Sequence, residues 1–328
     1  MPTAFVTGGS GFVGANLVRA LLEEGWQVRT LVRGPAPSLD GLDVTRVPGD
    51  LALPTMAQAM DGSDAVFHVA ALYSLWRRDR AALLEANVAG TRAVLAAART
   101  AGVPRIVHTS SVAALGVRAD GQPADETYRS PTERLIGAYK RSKRLAEDVV
   151  ERAVAEGQDV VLVNPTTPIG PWDAKPTPTG EIVVRFLRGK MPAYVDTGLN
   201  VVDVRDVAAG HLAAYRRGRT GERYILGGEN LTLRELLERL AAVAGRPAPG
   251  IRLPRFIPLA YAAIGEMLLA PLGVRPDVSL ESVRMAKQRM WYVTAKAERE
   301  LGIVPRSVTE ALLAAVTWFR THGYAESG

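Results

Sequence analysis

No cysteine occurs among the 328 residues, so disulfides, thiolate zinc sites, iron-sulfur clusters and thiol nucleophiles are excluded together. Histidine is nearly as scarce. His68, His108, His211 and His322 stand far apart, and no metal centre is expected. Aromatic residues make up 6% of the chain, and the net charge of +6 comes from scattered arginines, with short clusters at residues 77–80 and 216–219 that read as solvated helix faces. A nucleic-acid surface would interleave aromatic with basic side chains; only Trp76 hints at that, so nucleic acid is not an expected partner. Long apolar runs are few. Residues 256–274 carry Glu266 as their single charge but also contain Pro258 and Pro271. A spanning helix needs about 20 mostly apolar residues, and a central charge costs about 2.5–3.5 kcal/mol. A buried or surface-lying helix is expected there rather than a transmembrane segment. The start of the chain has no basic region ahead of an apolar stretch, so a cytoplasmic protein is expected.

What the chain does have is 47% hydrophobic and 23% charged residues, with a length about twice the ~150 residues of a typical domain. Short β-branched runs alternate with helical periods: strands at 4–7, 27–32, 44–47, 65–69, 105–109 and 160–164, with helices at 12–24, 55–60, 81–100 and 138–155 between them. Such alternation predicts an α/β fold, a doubly wound parallel sheet covered on both faces. After Pro165 the texture changes to a proline-punctuated loop and then mostly helices. The expected division is a dinucleotide-binding domain over 1–165, with returning segments within 201–228, and a smaller, mostly helical substrate domain over 166–200 and 229–328.

The first strand runs into Thr7-Gly8-Gly9-Ser10-Gly11-Phe12-Val13-Gly14 and then a helix. Glycines in that setting permit a tight turn and close backbone approach to a pyrophosphate at a helix N-terminus. Gly8, Ser10, Gly11, Phe12 and Val13 are therefore candidate cofactor contacts. About 20 positions further on stands Arg33. An acid there would hold the 2′-hydroxyl of NAD, whereas an arginine offers planar donors to the 2′-phosphate of NADP. NADP is the expected cofactor, with NAD as the alternative. Asp50 and Leu51 would lie beside the adenine, and Ala70 and Ala71 would leave room for the middle of the cofactor. Ser110 and Ser111 end the fifth strand, and Tyr139 and Lys143 share one face of the following helix by their spacing of four. A tyrosine with an ordinary pKa near ~10 exchanges protons near neutrality only where positive charge favours its phenolate, which Lys143 and an oxidised nicotinamide would supply. A serine hydroxyl at the sheet's carboxyl edge would hold the substrate oxygen.

With these features in place, the sequence resembles the extended short-chain dehydrogenase/reductase family over nearly its whole length. The resemblance rests on the glycine turn at 7–14, Asp50-Leu51, His68-Val69-Ala70-Ala71, Asn87-Val88-Ala89-Gly90-Thr91, Thr109-Ser110-Ser111, the Tyr139 to Lys143 motif and Asn164-Pro165. The stretches at 164–180, 191–212 and 222–233 look like the hopanoid-associated sugar epimerases, a group close to dihydroflavonol reductases. The resemblance implies a Rossmann-type fold, Tyr139 as acid/base, Lys143 on the nicotinamide ribose, Ser111 on the substrate oxygen, and Pro165 and Thr166 at the nicotinamide end. Tyr73, Trp76, Thr166, Lys175 and Asn200 are candidates for the substrate wall. An epimerase returns its hydride and needs no net reductant, yet Arg33 favours NADP(H), which more often serves net reduction. Both chemistries stay open: reversible hydride transfer at a secondary alcohol or ketone of a sugar-like substrate, or reduction of a ketone or aldehyde as in dihydroflavonol reductases. A nonenzymatic cofactor sensor would not need the Tyr139 and Lys143 pair. The alanine-rich helices at 81–100 and 138–155 carry more apolar surface than one sheet face requires. In the family the matching helices pair two subunits, so a homodimer is expected, rimmed by Glu85, Arg92, Arg99, Arg144 and Glu151.

Overall fold

The computed structural model describes residues 1–254, 256–269, 274 and 280–325, without the side chains of residues 77, 268 and 282. Its strands are β1 (Thr3–Thr7), β2 (Gln27–Val32), β3 (Val44–Pro48), β4 (Ala65–His68), β5 (Arg105–Thr109), β6 (Val160–Pro165), β7 (Thr167–Ile169), β8 (Ala193–Tyr194), β9 (Gly198–Asp203), β10 (Arg223–Leu226), β11 (Glu229–Thr232), β12 (Ile251–Arg252) and β13 (Arg289–Met290). The α-helices are α1 (Phe12–Glu23), α2 (Met56–Met60), α3 (Arg80–Leu84), α4 (Gly90–Thr100), α5 (Val112–Leu115), α6 (Ala138–Ala155), α7 (Pro178–Leu187), α8 (Val204–Arg217), α9 (Leu233–Ala244), α10 (Phe256–Leu269), α11 (Leu280–Met285), α12 (Ala295–Leu301) and α13 (Val308–Thr321).

Seven strands form one parallel sheet in the order β10-β6-β5-β4-β1-β2-β3. Because side chains alternate along a strand, neighbouring apolar residues serve opposite faces. Val6, Phe67, Val107 and Val163 pack with Leu17 and Leu21 of α1, Leu212 of α8 and Leu301 of α12. Phe5, Val66, Ile106 and Leu162 pack with Met60 of α2, Leu95 of α4 and Val150 of α6. A strand buried on both faces has no polar positions to spare, which explains the unbroken apolar runs in the sequence. The doubly wound sheet expected from the sequence is therefore present, and β10 arrives from within 201–228.

A second core lies around β9, β11 and helices α7, α9 and α13, through Val201, Leu231, Phe186, Leu236, Leu240, Leu312 and Val316. The β9 strand pairs with β7, β11 and β13, which sets its length. In contrast to its place in the C-terminal sequence, α12 seals the first core through Ala297 and Leu301. The arginines at 216–219 do more than face water: Arg216 pairs with Glu24, the residue that caps the end of α1, Arg217 donates to the Leu301 carbonyl, and Arg219 pairs with Glu300. These contacts tie α8 to α1 and α12. Three of the residues expected to rim a dimer are also occupied within the chain, Arg99 by an ion pair with Glu156 at 2.8 Å. Arg144 is buried and donates to the Ala114 carbonyl, and Glu151 accepts from Arg129 and Arg223.

The helical stretch Arg80–Thr100 is long and apolar enough to cross a membrane by length and composition. It nonetheless buries Leu83, Val94, Leu95 and Ala98 within the protein, as a covering helix of the sheet does. The apolar segment after residue 255 forms α10 on the surface, with Phe256 and Met267 each 69% exposed; residues 270–273 of that segment lie outside the described residues.

Candidate active site

The glycine turn is shaped by close approaches. Gly8 has φ +74°, and a Cβ there would meet the Ala70 backbone at 2.7 Å; at Gly14 a Cβ would overlap the Gly8 carbonyl. Gly11 donates its N–H to the Gly8 carbonyl at 3.0 Å and caps α1 without any side-chain hydrogen bond. The first N–H groups of α1 consequently have no side-chain acceptor, and the backbone forms the cradle an anionic pyrophosphate needs. Ser10 is exposed and its carbonyl accepts from Ser38 at 2.9 Å, while Phe12 and Val13 are half-buried at the helix start. Arg33 stands exposed immediately after β2, with no hydrogen bond or ion pair among the described residues. Asp50 is exposed and accepts from Ala52 N–H at 2.9 Å, Leu51 packs under Gly90, and Ala71 is open to solvent. Turn, arginine and small residues thus fit a dinucleotide laid across the carboxyl ends of the strands.

At the carboxyl end of β5 stand Ser110 and Ser111, and α6 delivers Tyr139 and Lys143. The two serines have different tasks. Ser110 is buried and donates to Glu147 Oε1 at 2.6 Å. Ser111 caps α5 by accepting from Ala113 N–H at 3.2 Å and keeps its hydroxyl near Tyr139. Tyr139 is half-buried overall, with its phenol oxygen deep, and burial pushes its pKa up to about 12 against a smaller lowering by the Ser111 hydrogen bond. Lys143 donates from Nζ to the Thr109 carbonyl at 2.8 Å. Its burial brings its pKa down to about 8, and Glu147 opposes that shift. The sequence expectation assigns the charge that favours the phenolate to Lys143 and an oxidised nicotinamide together; in this structure burial of the phenol is the larger effect on Tyr139.

The polar groups that hold this cluster are mostly ones whose roles the sequence did not reveal. Asn87 donates to Ser142 Oγ at 2.9 Å, which in turn donates to the Tyr139 carbonyl at 2.8 Å, and Asn87 Oδ1 accepts from Leu72 N–H at 2.7 Å. It lies in a π-helical turn, Glu85–Ala89, between α3 and α4. Glu147 Oε1 also accepts from Asn164, whose amide donates to the Ser111 carbonyl at 3.0 Å. An asparagine inside an apolar helix and a glutamate four residues past Lys143 were the available signals. His68 is buried, and since Thr91 Oγ1 donates to the Asn87 carbonyl, His68 Nε2 donates to Thr91 and its Nδ1 accepts from Thr7. Burial first, and Lys143 second, lower its pKa to about 3. It is a neutral brace beneath the glycine turn. Among the described residues no group of three histidine, aspartate or glutamate side chains is placed to hold a metal ion.

The candidate substrate residues separate. Tyr73 is 43% exposed and its ring meets that of Tyr139 edge-on at 4.6 Å. Trp76 is half-buried three residues on, with the Arg78 guanidinium 5.7 Å from its ring. Pro165 ends β6, and Thr166 donates its N–H to the Leu226 carbonyl at 3.1 Å. Lys175 is exposed on a loop whose Ala174 carbonyl accepts from Tyr324, beyond the end of α13. Asn200 is fully buried: it donates to the Gly228 carbonyl and to Asn230 Oδ1, and it accepts from Gly228 N–H. Its amide is spent on the connection between β9 and β11.

The model of the NAD dependent epimerase/dehydratase family matches residues 4–227. The chain belongs to that family. Its members are NAD(P)-dependent enzymes of the extended short-chain dehydrogenase/reductase type, and so is this protein. The chain is 56% identical to a putative dihydroflavonol 4-reductase of Synechocystis sp., over 98% of this chain and 96% of that one. It is 38% identical to sterol demethylase protein B of Methylococcus capsulatus, over 98% and 99%. Among solved structures, a nucleoside-diphosphate-sugar epimerase from Pseudomonas aeruginosa superposes with a TM-score of 0.81 at 27% identity, covering 98% of this chain and 99% of the other. Family, relatives and neighbour together support a reductase or epimerase.

Proposed function

We propose that this enzyme is an NADP(H)-preferring reductase acting reversibly on a ketone carried by a bulky ring system. The observation that carries the reading is the cluster of Tyr139, Ser111 and Lys143 between β5 and α6, opposite the glycine turn. With its pKa pushed up to about 12, Tyr139 is protonated throughout the working range, the form that donates to a carbonyl oxygen. Ser111 would hold that oxygen by a second hydrogen bond. When bound, the reduced nicotinamide supplies the hydride that the carbonyl carbon gains. The Tyr139 proton goes to the carbonyl oxygen, and the resulting phenolate sits near the Lys143 charge until solvent reprotonates it. One Lys143 N–H is fixed by Thr109, leaving two to reach the nicotinamide ribose.

Arg33, with unspent donors, is the basis for preferring NADP(H). The relatives named for a dihydroflavonol and a sterol favour a polycyclic ketone, and the exposed Tyr73 ring offers such a substrate a flat contact. The sugar-like substrate suggested by the sequence resemblance belongs to the second reading, a sugar-nucleotide epimerase, which the likeness to the Pseudomonas aeruginosa enzyme favours.

Deuterium-labelled NADPH offered with ring ketones and with sugar nucleotides tests the proposal. A reductase consumes the cofactor in step with product and leaves deuterium in the new alcohol, whereas an epimerase interconverts its sugars with no net consumption. Tyr139→Phe should abolish turnover while NADPH affinity stays within about twofold, because a proton is lost and little binding surface. Arg33→Ala should weaken NADPH by about 1.5–3 kcal/mol and leave NADH nearly unchanged; equal losses would remove the phosphate-reading role. We also propose that two copies pair through the outer faces of α4 and α6, where Arg92, Ala96 and Leu145 are exposed.

A further inference from the structure

The α10 helix is apolar nearly all round, with Glu266 as its only charge. Such a helix is ordinarily buried on every side. Here one side packs on α11, where Ala262 is fully buried, while Phe256, Ile257, Tyr261, Ile264 and Met267 are between 42% and 69% exposed. The spacing of three and four residues among Ile257, Tyr261, Ile264 and Met267 places them, with Phe256, on one continuous face. An apolar face of this kind in water marks a surface that something covers.

We infer that this face docks on an anionic lipid bilayer. Three observations select that occupant. First, 14 residues make a helix about 21 Å long, too short for the roughly 30 Å hydrocarbon core, so the helix lies in the interface and does not cross it. Second, the charge of the described residues that flank the helix in sequence is of the matching sign: Arg252, Arg284, Lys287 and Arg289 stand against Glu266 and Glu281. Arg284 and Lys287 are exposed with no ion pair among the described residues, while Glu266 is turned inward to accept from Leu280 N–H at 2.9 Å. Third, α11, on which α10 packs, adjoins the active site. The Glu281 carboxylate of α11 fills the space a Cβ at Gly137 would occupy, two residues before Tyr139, and lies within electrostatic reach of Lys140. A ketone dissolved in lipid would then reach Tyr139 from the membrane side. That consequence rests on the proposed reductase function; the docking itself does not.

The test is co-sedimentation of the full chain with vesicles of mixed phosphatidylglycerol and phosphatidylcholine, and with vesicles of phosphatidylcholine alone, with no substrate or cofactor present. Wild type should bind the mixed vesicles more tightly. Ile264→Glu with Met267→Glu should reduce that binding at least tenfold. Arg284→Gln and Lys287→Gln should each lower it roughly fivefold and leave binding to phosphatidylcholine unchanged. A Met267→Ser variant, milder for the fold, should show an intermediate loss. Absence of wild-type binding to mixed vesicles, or equal binding by wild type and the helix variants, overturns the proposal. So does a halving of the solution mass in Met267→Ser, which would assign the face to a second copy of the chain. Turnover without vesicle binding would sink the docking surface and leave the reductase reading standing.

Discussion

Burial brings the Lys143 ammonium from an ordinary pKa of 10.5 to about 8, which puts its charge within an accessible pH range. In the proposed mechanism the protonated form does the work, holding the ribose and facing the phenolate. The sign follows: activity is full below pH 8 and is lost as pH rises through it. We expect kcat/KM to fall about tenfold per pH unit above that point. Lys143→Arg should remove this alkaline limb, since a guanidinium stays charged there. A pH profile of both proteins decides it, and a limb unchanged in Lys143→Arg would place the titration elsewhere. Asn200 makes the opposite case, a polar residue whose partners belong to its own chain. Asn200→Ala leaves Gly228 N–H without its partner in a buried setting. It should cost about 1–3 kcal/mol in denaturant unfolding with KM for substrate unchanged; a raised KM at full stability would return it to the substrate wall. Tyr139, Lys143 and the glycines were legible because their chemistry depends on local spacing. Asn87, Glu147 and Asn164 were not, because their partners lie 15 to 55 residues away.

Secondary elements tell the same story at larger size. The α6 helix occupies the residues its periodicity marked, and the strands of the main sheet begin and end within a residue or two of their apolar runs, because burial on both faces leaves an unambiguous pattern. Two elements that escaped are the π-helical turn at Glu85–Ala89, which has an ordinary helical composition, and the full length of β9, which depends on pairing with β7, β11 and β13. The exposed α10 takes the surface-lying alternative that its composition left open. The turn between β1 and α1 supports a prediction of its own. Since a Cβ at Gly14 would overlap the Gly8 carbonyl, Gly14→Ala must push the turn away from the helix and reshape the phosphate cradle. Binding of NADPH, followed by its fluorescence, should weaken at least tenfold; unchanged affinity would mean that the cofactor does not use this turn.

For the molecule as a whole, the buried histidines couple stability to pH. His211 donates from Nδ1 to the Val207 carbonyl and accepts from Thr109 at Nε2, and burial lowers its pKa to about 4. The unfolded chain binds this proton near pH ~6.5, so the contribution is present above that value and is lost as pH falls towards 4. At pH 5 the loss is roughly 2 kcal/mol. The stability difference between wild type and His211→Gln, from urea unfolding, should shrink by that amount between pH 7.5 and pH 5, and a constant difference would mean that the ring takes up its proton at the same pH folded and unfolded. Pairing is checked by light scattering. A dimer should show about 70 kDa, twice the chain's 35.2 kDa, and Ala96→Glu should return it to one chain's mass; a concentration-independent single-chain mass in the wild type would remove the proposed dimer. The threading of the chain has a consequence for biosynthesis. The edge strand β10 ends at Leu226 and the seal α12 ends at Leu301, so a ribosome that has made the first 165 residues holds a sheet with one naked edge and a face covered only in part, by α1. The nascent chain must wait for some 135 further residues before its first core can close, a period in which it would depend on chaperones, and its nucleotide-binding half should not survive expression as an independent fragment.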